Sequence, residues 1–230
     1  QVEKETGILP GGALLATSQS LTSQGESKDV AWVELGGKKY RPPVGQHWKT
    51  TIPGIENLHK KGRILFQGNS IRYLRFKEDF SINAITNLWN DTSGELNKSY
   101  VVQTGLLVIQ RCILMTTDPG DIVLDPTCGS GTTAFVAEQW GRRWITIDTS
   151  RVSLALARTR LMTAKFLYYK LKDEKSLSAG FEYKTVPHVT LKSLANDEPA
   201  EQEVLYDQPF INKDIVRVTG PFTVESLSPH

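Results

Sequence analysis

The segment DIVLDPTCGSGTTAFVAEQ, residues 121–139, constrains the fold of this chain more than any other stretch. A short apolar run at 122–125 is followed by a glycine-rich loop and then by a helix-forming run. A second apolar run at 142–148 precedes a longer helical pattern at 150–166, for which Ser150 is the expected N-cap. Strand, helix, strand and helix in this order predict a parallel α/β unit that holds a ligand at the loop after its first strand.

Two phosphate-binding interpretations of this loop conflict with its charges. A P-loop needs a lysine beside a Ser or Thr at its end, and residues 121–139 contain no lysine. The spacing Gly129-x-Gly131-x-x-Ala134 satisfies the loose dinucleotide pattern. However, Asp125 ends the first strand, where its carboxylate would repel a pyrophosphate. A dinucleotide therefore stays only as an alternative ligand.

S-adenosylmethionine matches the charges of the loop better, because it carries an ammonium group and no phosphate. Asp125 would accept hydrogen bonds from the ammonium, and Asp148 would accept them from the ribose hydroxyls. The glycines allow the backbone to approach the methionine part closely. In the alternative structural interpretation, the glycines make a tight turn and both aspartates cap helices. The residues predicted to bind the cofactor here are Asp125, Pro126, Cys128, Gly129, Ser130, Gly131, Thr132 and Asp148.

The stretch PGDIVLDPTCGSGTTAFVAEQWGRRWITID resembles the cofactor-binding half of the DNA methyltransferases that act on adenine N6 or cytosine N4. In the β-type order of that family, the catalytic motif precedes a target-recognition region, a helix with motif X and then the glycine motif. The segment YVVQTGLLVIQRCI, residues 100–113, stands at the place of motif X. Gln103 and Arg111 match the family pattern there. Thr104 and Gly105 depart from it, because they stand where the family commonly has Lys and Pro. The resemblance implies that Gln103 and Thr104 also contact the cofactor.

The segments KKYRPPVGQHWK, KKGRILF and NLWND resemble regions of large bacterial adenine-specific enzymes, including type III-like modification proteins, so that the similarity spans residues 38–165. It implies a partial Rossmann-like S-adenosylmethionine-dependent methyltransferase fold of the α/β class with additional β-rich segments. The implied reaction is methyl transfer to adenine N6 in double-stranded DNA. Cytosine N4 as the target, and a non-catalytic DNA-binding or assembly module with a relic cofactor fold, remain the alternatives.

The catalytic motif of that family, Asp/Asn/Ser-Pro-Pro-aromatic, is absent from the sequence. The only Pro-Pro pair follows Arg41, which cannot accept amino hydrogens, and precedes Val44, which has no ring to stack on a base. No residue is therefore predicted to be catalytic. Because the chain begins with Gln1 instead of Met, we expect the motif in a preceding N-terminal half and expect this fragment alone to be inactive.

The region from residue 38 to residue 75 is basic and contains interleaved aromatic residues, a composition typical of surfaces that bind nucleic acid. A solvated charged face over an aromatic core is the alternative. The net charge of +2 and the isoelectric point of about 8.5 allow a DNA partner without requiring one. The predicted DNA contacts are Lys39, Arg41, Lys49, Lys61, Arg63 and Arg72.

The sequence divides into four expected regions. They are a lead-in at 1–29, a target-recognition or connecting region at 30–99, an S-adenosylmethionine-binding core at 100–172 and a linker with a β-rich tail at 173–230. Two cysteines and the lack of a long apolar run indicate a cytoplasmic protein without a membrane partner. The histidines lack partners at metal-ligand spacing, so no metal is expected. A homodimer is left open.

Overall fold

The computed structural model describes residues 14–25, 31–92 and 104–226. The fold is mixed α/β, and its internal contacts divide the chain into two units. The first unit contains residues up to 83 together with 185–203, and the second contains 84–184 together with 204–230. The glycine loop lies in the second unit, and the basic region lies in the first.

The first unit is built from short antiparallel strands and two helices. Its strands are β1 (Ala16–Ser20), β2 (Thr22–Gln24), β3 (Val33–Leu35), β4 (Lys38–Tyr40), β5 (Gln46–Trp48), β6 (Ile64–Gln67) and β7 (Ser70–Phe76). Its helices are α1 (Ile52–Lys60) and α5 (Leu191–Ala195), with a 3-10 turn at Lys77–Asp79. The strands pair as β1-β7-β6, β2-β5 and β3-β4. The Thr51 hydroxyl caps α1 by accepting from Gly54 N.

The core of the first unit lies between the β3–β4 hairpin, strand β7 and helices α1 and α5. Val33, Ile55, Leu58 and Tyr73 are almost completely buried in it. Alternate residues of β3 and β7 contribute to this core, as expected for strands with one buried face. The adjacent glycines Gly36 and Gly37 between two strand-forming runs predict a hairpin turn in the sequence, and the antiparallel pairing of β3 with β4 confirms it.

The second unit carries the parallel pair that the sequence predicts. Its elements are α2 (Leu106–Thr116), β8 (Ile122–Asp125), α3 (Thr132–Gln139), β9 (Arg143–Thr146), α4 (Arg151–Thr163), β10 (Lys165–Tyr169) and β13 (Ile211–Val218), with a 3-10 turn at Leu177–Ala179. Strands β8 and β9 are parallel neighbours, and β10 pairs with β13 antiparallel. Strands β11 (Tyr183–His188) and β12 (Glu201–Pro209) form a further pair.

The core of the second unit lies between α2, α3 and the aromatic residues that follow. Ile113, Val136, Trp140 and Phe181 are buried there. The Ser150 hydroxyl accepts from Ser153 N at the start of α4, which confirms the predicted N-cap. The helical pattern extends to residue 166, but α4 ends at Thr163 and β10 begins at Lys165. The antiparallel partner β13 lies far along the chain, so the local pattern does not contain the reason for this strand.

Candidate cofactor site and basic surface

The carboxyl ends of β8 and β9 position the glycine loop. Asp125 O accepts from Ile147 N at 2.9 Å, and Ile147 O accepts from Cys128 N at 2.8 Å. The backbone just after β9 is therefore hydrogen-bonded, through both the N–H and the C=O of Ile147, to the segment that leaves β8. This ladder brings Asp125 and Asp148 to the same edge of the parallel pair, which is the edge where α/β folds bind ligands.

Two glycines with positive φ shape the loop. Gly129 has a φ of 52°, and Gly131, the N-cap of α3, has a φ of 74°. A β-carbon on Gly131 would lie 2.8 Å from the β-carbon of Ala157 in α4. Gly131 is therefore required both by its left-handed conformation and by the close approach of α4.

Asp148 holds the loop through its carboxylate. Its Oδ2 accepts from Gly129 N at 2.9 Å and from the Ser153 hydroxyl at 2.8 Å, and its Oδ1 accepts from Ser150 N at 2.8 Å. The hydrogen bonds from Ser150 N, Gly129 N and Ser153 lower the pKa of Asp148 below its usual range. The carboxylate is therefore ionised at neutral pH and links the loop to the first turn of α4.

One face of α4 carries residues that position the loop and that the sequence reasoning missed. The Ser153 hydroxyl lies 2.5 Å from Gly129 O and donates its single hydrogen either to that carbonyl or to Asp148. Arg160 donates to Ser130 O at 3.2 Å and to Thr132 Oγ1 at 3.1 Å. Ser153, Ala157 and Arg160 recur at helical spacing, which is the signal that could have identified them.

The side chains of the loop itself point mainly into the protein. Cys128, Ser130 and Thr132 are buried, and the hydroxyls of Ser130 and Thr132 lie 3.0 Å apart. Burial raises the pKa of the Cys128 thiol. The backbone of the loop, more than these three side chains, is available to a ligand. Pro126 is exposed beside them.

Asp125 differs from Asp148 in its remaining hydrogen-bonding capacity. Its Oδ1 accepts from the backbone N and the hydroxyl of Thr127 at 2.9 and 3.2 Å. Within the described part of the chain, no donor contacts Asp125 Oδ2. This oxygen can accept from an external cation, whereas Asp148 Oδ2 is already shared between two donors.

A cavity of about 800 Å³ adjoins the loop and β9. Cys128, Thr146 and Asp148 line one side, Leu154 and Ala157 of α4 line another, and the segment 221–225 closes a third. Within that segment, the ring of Phe222 lies 5.3 Å from that of Trp144. This volume lies within the range of pockets that hold small-molecule cofactors.

The donors and acceptors at this site fit S-adenosylmethionine. Asp125 Oδ2 can accept from an ammonium group. Asp148 Oδ1 accepts from Ser150 N and can also accept from one ribose hydroxyl. A pyrophosphate would instead meet two carboxylates at the same edge. The arrangement therefore suits a cationic ligand without phosphate.

Within the residues that the structure describes, no interaction connects the predicted motif X contacts with the glycine loop. Gln103 lies outside the described residues, and Thr104 is exposed before α2. Arg111 donates from Nη1 to Asp91 Oδ1 at 2.8 Å and packs over the ring of Trp89. The arginine that matches the motif X pattern thus contacts Trp89 and Asp91, and the contacts of Gln103 and Thr104 with a cofactor stay predictions.

The six basic residues predicted to contact DNA have different environments. Lys39, Arg41 and Lys49 are exposed. Lys61 pairs with Asp197 and Arg72 donates to the Ser18 hydroxyl at 3.2 Å, both near the surface. The guanidinium of the sixth residue, Arg63, is largely buried.

Arg63 departs from its predicted role as a surface contact. Its guanidinium binds the buried Asp79 carboxylate with two hydrogen bonds of 2.7 and 2.8 Å and stacks 4.0 Å from the centre of the Phe76 ring. A buried carboxylate requires such a partner, so the charge of Arg63 is committed inside the first unit. We therefore leave Arg63 out of the DNA-contacting set.

Neither a metal site nor a membrane span is present in the part of the chain that the structure describes. Across 14–25, 31–92 and 104–226, no cluster of three His, Cys, Asp or Glu side chains could hold a metal ion. Within the same ranges, no helix has the length and apolar character needed to cross a bilayer.

Comparisons with known proteins match much of this chain. The model of the DNA methylase family directed at N6 and N4 matches residues 21–158. The type II methyltransferase M.EcaI of Enterobacter cloacae is 32% identical over 116 residues, which cover 47% of this chain and 25% of that protein. A probable type III restriction-modification enzyme HindVI Mod subunit of Haemophilus influenzae is 28% identical over 187 residues, which cover 66% of this chain and 25% of that protein. The chain thus spans about a quarter of the length of these relatives.

Among solved structures, the M1.HpyAVI–SAM complex is 24% identical to this chain. The aligned part covers 40% of this chain and 48% of that one, with a TM-score of 0.29.

Proposed function

This chain belongs to the family of N6- and N4-directed DNA methylases. On that premise, we propose that it forms the cofactor-binding portion of an adenine-N6 DNA methyltransferase and contributes part of its DNA-contacting surface. S-adenosylmethionine is the cofactor of this family. The observation that carries the proposal is the placement of Asp125 and Asp148 at one edge of the parallel β8–β9 pair, on either side of a glycine loop.

In the proposed site, the ammonium group, one ribose hydroxyl and the methionine part of the cofactor each have a partner in this chain. Asp125 Oδ2 accepts from the ammonium, Asp148 Oδ1 accepts from a ribose hydroxyl, and the loop backbone approaches the methionine part. Asp148 and Ser153 hold the loop in place before the cofactor arrives, so little ordering is needed on binding. When bound, S-adenosylmethionine supplies an electrophilic methyl group on sulfur.

The exposed face of the parallel pair supports a larger parent protein. Ile122, Leu124, Ile145 and Ile147 are each more than half exposed, and the first three occupy alternate positions of β8 and β9. Parallel sheets are normally covered on both faces. We infer that further elements of the parent protein cover this face and complete a Rossmann-like sheet, and that they carry the Pro-Pro-aromatic motif that this sequence lacks.

The cofactor proposal is tested by calorimetric titration of the 230-residue chain with S-adenosylmethionine. Asp125→Ala and Asp148→Ala should each weaken binding by roughly tenfold or more, because each removes a charged hydrogen-bond acceptor. Asp207→Ala, which removes an exposed carboxylate elsewhere in the second unit, is the matched control and should bind as the unaltered chain does. Equal affinity in all four proteins would contradict the site assignment.

The fragment proposal is tested by a methylation assay. Without residues that hold the target amino group, the chain alone should transfer no methyl group to DNA, although it binds the cofactor. Sustained turnover by the isolated chain would refute this part of the proposal. In the reconstituted parent protein, N6-methyladenine as the product would support adenine as the target, and N4-methylcytosine would overturn it.

A non-catalytic DNA-binding or assembly module is the second candidate. The hydrogen bonds of Ser130, Thr132 and Asp148 within the protein favour it, because they leave the loop satisfied without a ligand. Salt-sensitive DNA binding without any heat of S-adenosylmethionine binding would select this candidate.

A further inference from the structure

We propose that the β3–β4 hairpin of the first unit is the element that reads bases in the major groove of double-stranded DNA, with Arg41 and Glu34 at the base edges and Lys39 on the phosphates. The proposal rests on the DNA-directed function proposed above and adds to it the surface and the residues that recognise sequence. The two faces of the hairpin, the charge of the region and the contact between Arg41 and Trp32 support it.

The inner face of the hairpin anchors it rigidly. Val33, Leu35 and Tyr40 are buried in the core of the first unit. Gly36 and Gly37, with φ of 59° and 76°, make the tight turn that joins the strands. Trp48 Nε1 donates to Ala31 O at 3.0 Å just before β3. The hairpin is therefore a fixed two-stranded ribbon, which is one of the two elements that the major groove admits.

The outer face of the hairpin presents a different set of residues. Glu34 lies directly opposite Lys39, and Trp32 and Arg41 come one position beyond the paired Val33 and Tyr40. Trp32 remains 55% exposed, although it is a large aromatic residue. Because strands alternate their side chains, these residues share the face that the core does not use.

The contact between Arg41 and Trp32 orients a cation for recognition. The guanidinium carbon of Arg41 lies 5.4 Å from the centre of the exposed indole ring. This cation–π contact restricts the planar guanidinium, and within the described part of the chain no hydrogen bond or ion pair occupies its N–H groups. A guanidinium held in this way can donate two hydrogen bonds to O6 and N7 of guanine, the commonest sequence-specific contact.

The charge of the region favours nucleic acid as the occupant of this face. Residues 31–77 contain ten Lys or Arg and two Glu, and all of these cations except Lys61 and Arg63 form no ion pair within the described residues. Within the described part of the chain, Lys39 and Lys49 form no ion pair, even though Glu34 faces Lys39 across the hairpin. A carboxylate would be unfavourable beside phosphates. Glu34 is therefore placed to accept from the exocyclic amino group of a cytosine, and Lys39 to contact the backbone.

The experiment uses the full 230-residue chain and a library of randomised DNA duplexes. Bound duplexes are sequenced after selection, and affinities for the enriched and the random pools are measured by fluorescence anisotropy from 50 to 200 mM salt, a range set by the counterion effect. The variants are Arg41→Lys, Trp32→Leu, Glu34→Gln and Lys39→Ala. Lys192→Ala, on helix α5 of the same unit, is the charge-matched control.

Arg41→Lys should keep the affinity for the random pool within about threefold, because the charge is retained, and should lose roughly tenfold of the preference at one base pair. Trp32→Leu should lose preference at that same base pair, and Glu34→Gln at a neighbouring one. Lys39→Ala should weaken binding to all sequences and reduce the salt slope by about 1. Lys192→Ala should leave both the enriched sequence and the affinity unchanged.

An unchanged enriched sequence in Arg41→Lys and Trp32→Leu would overturn the inference, and so would a lack of DNA binding by the unaltered chain. Calorimetry with S-adenosylmethionine on the same preparation separates this failure from that of the cofactor proposal. Cofactor binding without DNA binding rejects the hairpin alone. DNA binding that depends on the hairpin, without cofactor binding, rejects the cofactor site alone.

Discussion

The glycine loop of the second unit and the hairpin tip of the first both depend on glycines with positive φ, but their surroundings differ. A β-carbon on Gly131 would meet Ala157 at 2.8 Å, whereas one on Gly37 would have no atom within 4 Å. Helix α4 packs against the loop, and the hydroxyls of Ser130 and Thr132 form hydrogen bonds within the protein. The hairpin tip is open, and Glu34 and Lys39 near it are exposed. The same local conformation thus occurs in the proposed backbone-lined cofactor site of one unit and in the proposed side-chain recognition surface of the other.

The largest effect is expected for Gly131→Val. A β-branched residue is strained at this φ, and its side chain would also push against the backbone of α4, so we expect a loss of about 4 kcal/mol or more of unfolding free energy. Binding of S-adenosylmethionine should be lost with it. Urea unfolding and calorimetric titration measure the two effects.

Gly37→Val is the matched control for this comparison. It carries the same conformational strain without the steric contact, so it should cost about 2 kcal/mol. It should leave cofactor binding unchanged. Equal losses of stability in the two variants would show that the packing of α4 against the loop contributes nothing.

The next effect concerns the two kinds of basic side chain in the first unit. Asp79→Ala leaves the guanidinium of Arg63 without its buried partner, and we expect a loss of about 3 kcal/mol of unfolding free energy. Lys61→Ala breaks an ion pair with the exposed Asp197 and should cost less than about 1 kcal/mol. Urea unfolding of both variants provides the test, and similar costs would contradict the distinction between structural and surface cations.

A pH dependence of the free energy of unfolding is expected from Asp148, because its carboxylate, unlike the exposed carboxylates, is hydrogen-bonded to the glycine loop and to α4. Its folded-state pKa is lowered from 3.8, so its ionised form stabilises the fold at all pH values above that number, and the contribution is lost as the pH falls through the lower, folded-state pKa. The stability difference between the unaltered chain and Asp148→Asn should therefore be constant from about pH 5 to 7 and shrink below about pH 4. Urea unfolding across this range measures it, and a difference that grows on acidification would be inconsistent with the network.

The smallest effect distinguishes the two cysteines. Cys112 is exposed on α2, whereas burial raises the pKa of the Cys128 thiol inside the glycine loop. A thiol reagent at about pH 8 should therefore modify Cys112 first, since the thiolate is the reactive form. Mass spectrometry of partly modified protein identifies the site. Faster modification of Cys128 would indicate that the loop opens more readily than the contacts of Asp148 and Arg160 imply.

The local patterns predicted most of the elements that surround the site. The short apolar runs at β8 and β9, the Ser150 cap and the Gly36-Gly37 turn each depend on a few adjacent residues, and the structure confirms all of them. In contrast, α4 ends three residues before its pattern does. The segment 194–203, which has the composition of a linker, contains the end of α5 and the start of β12. The first outcome depends on β13, far along the chain, whereas the second depends on the pairing of β12 with the preceding strand β11 and on the packing of α5 against α1.

The sequence by itself determined the parallel β–α–β unit, its positive-φ loop and the choice of a cationic ligand over a phosphate, because conformation and charge at these positions are set by the residues themselves. Only the tertiary structure decided where the side chains point. It turned Ser130 and Thr132 inward toward Arg160, paired Arg63 with Asp79 and left Arg41 stacked on an exposed Trp32. Those choices depend on which distant groups share a low-dielectric interior, where a buried charge or hydroxyl needs a partner that local sequence does not specify.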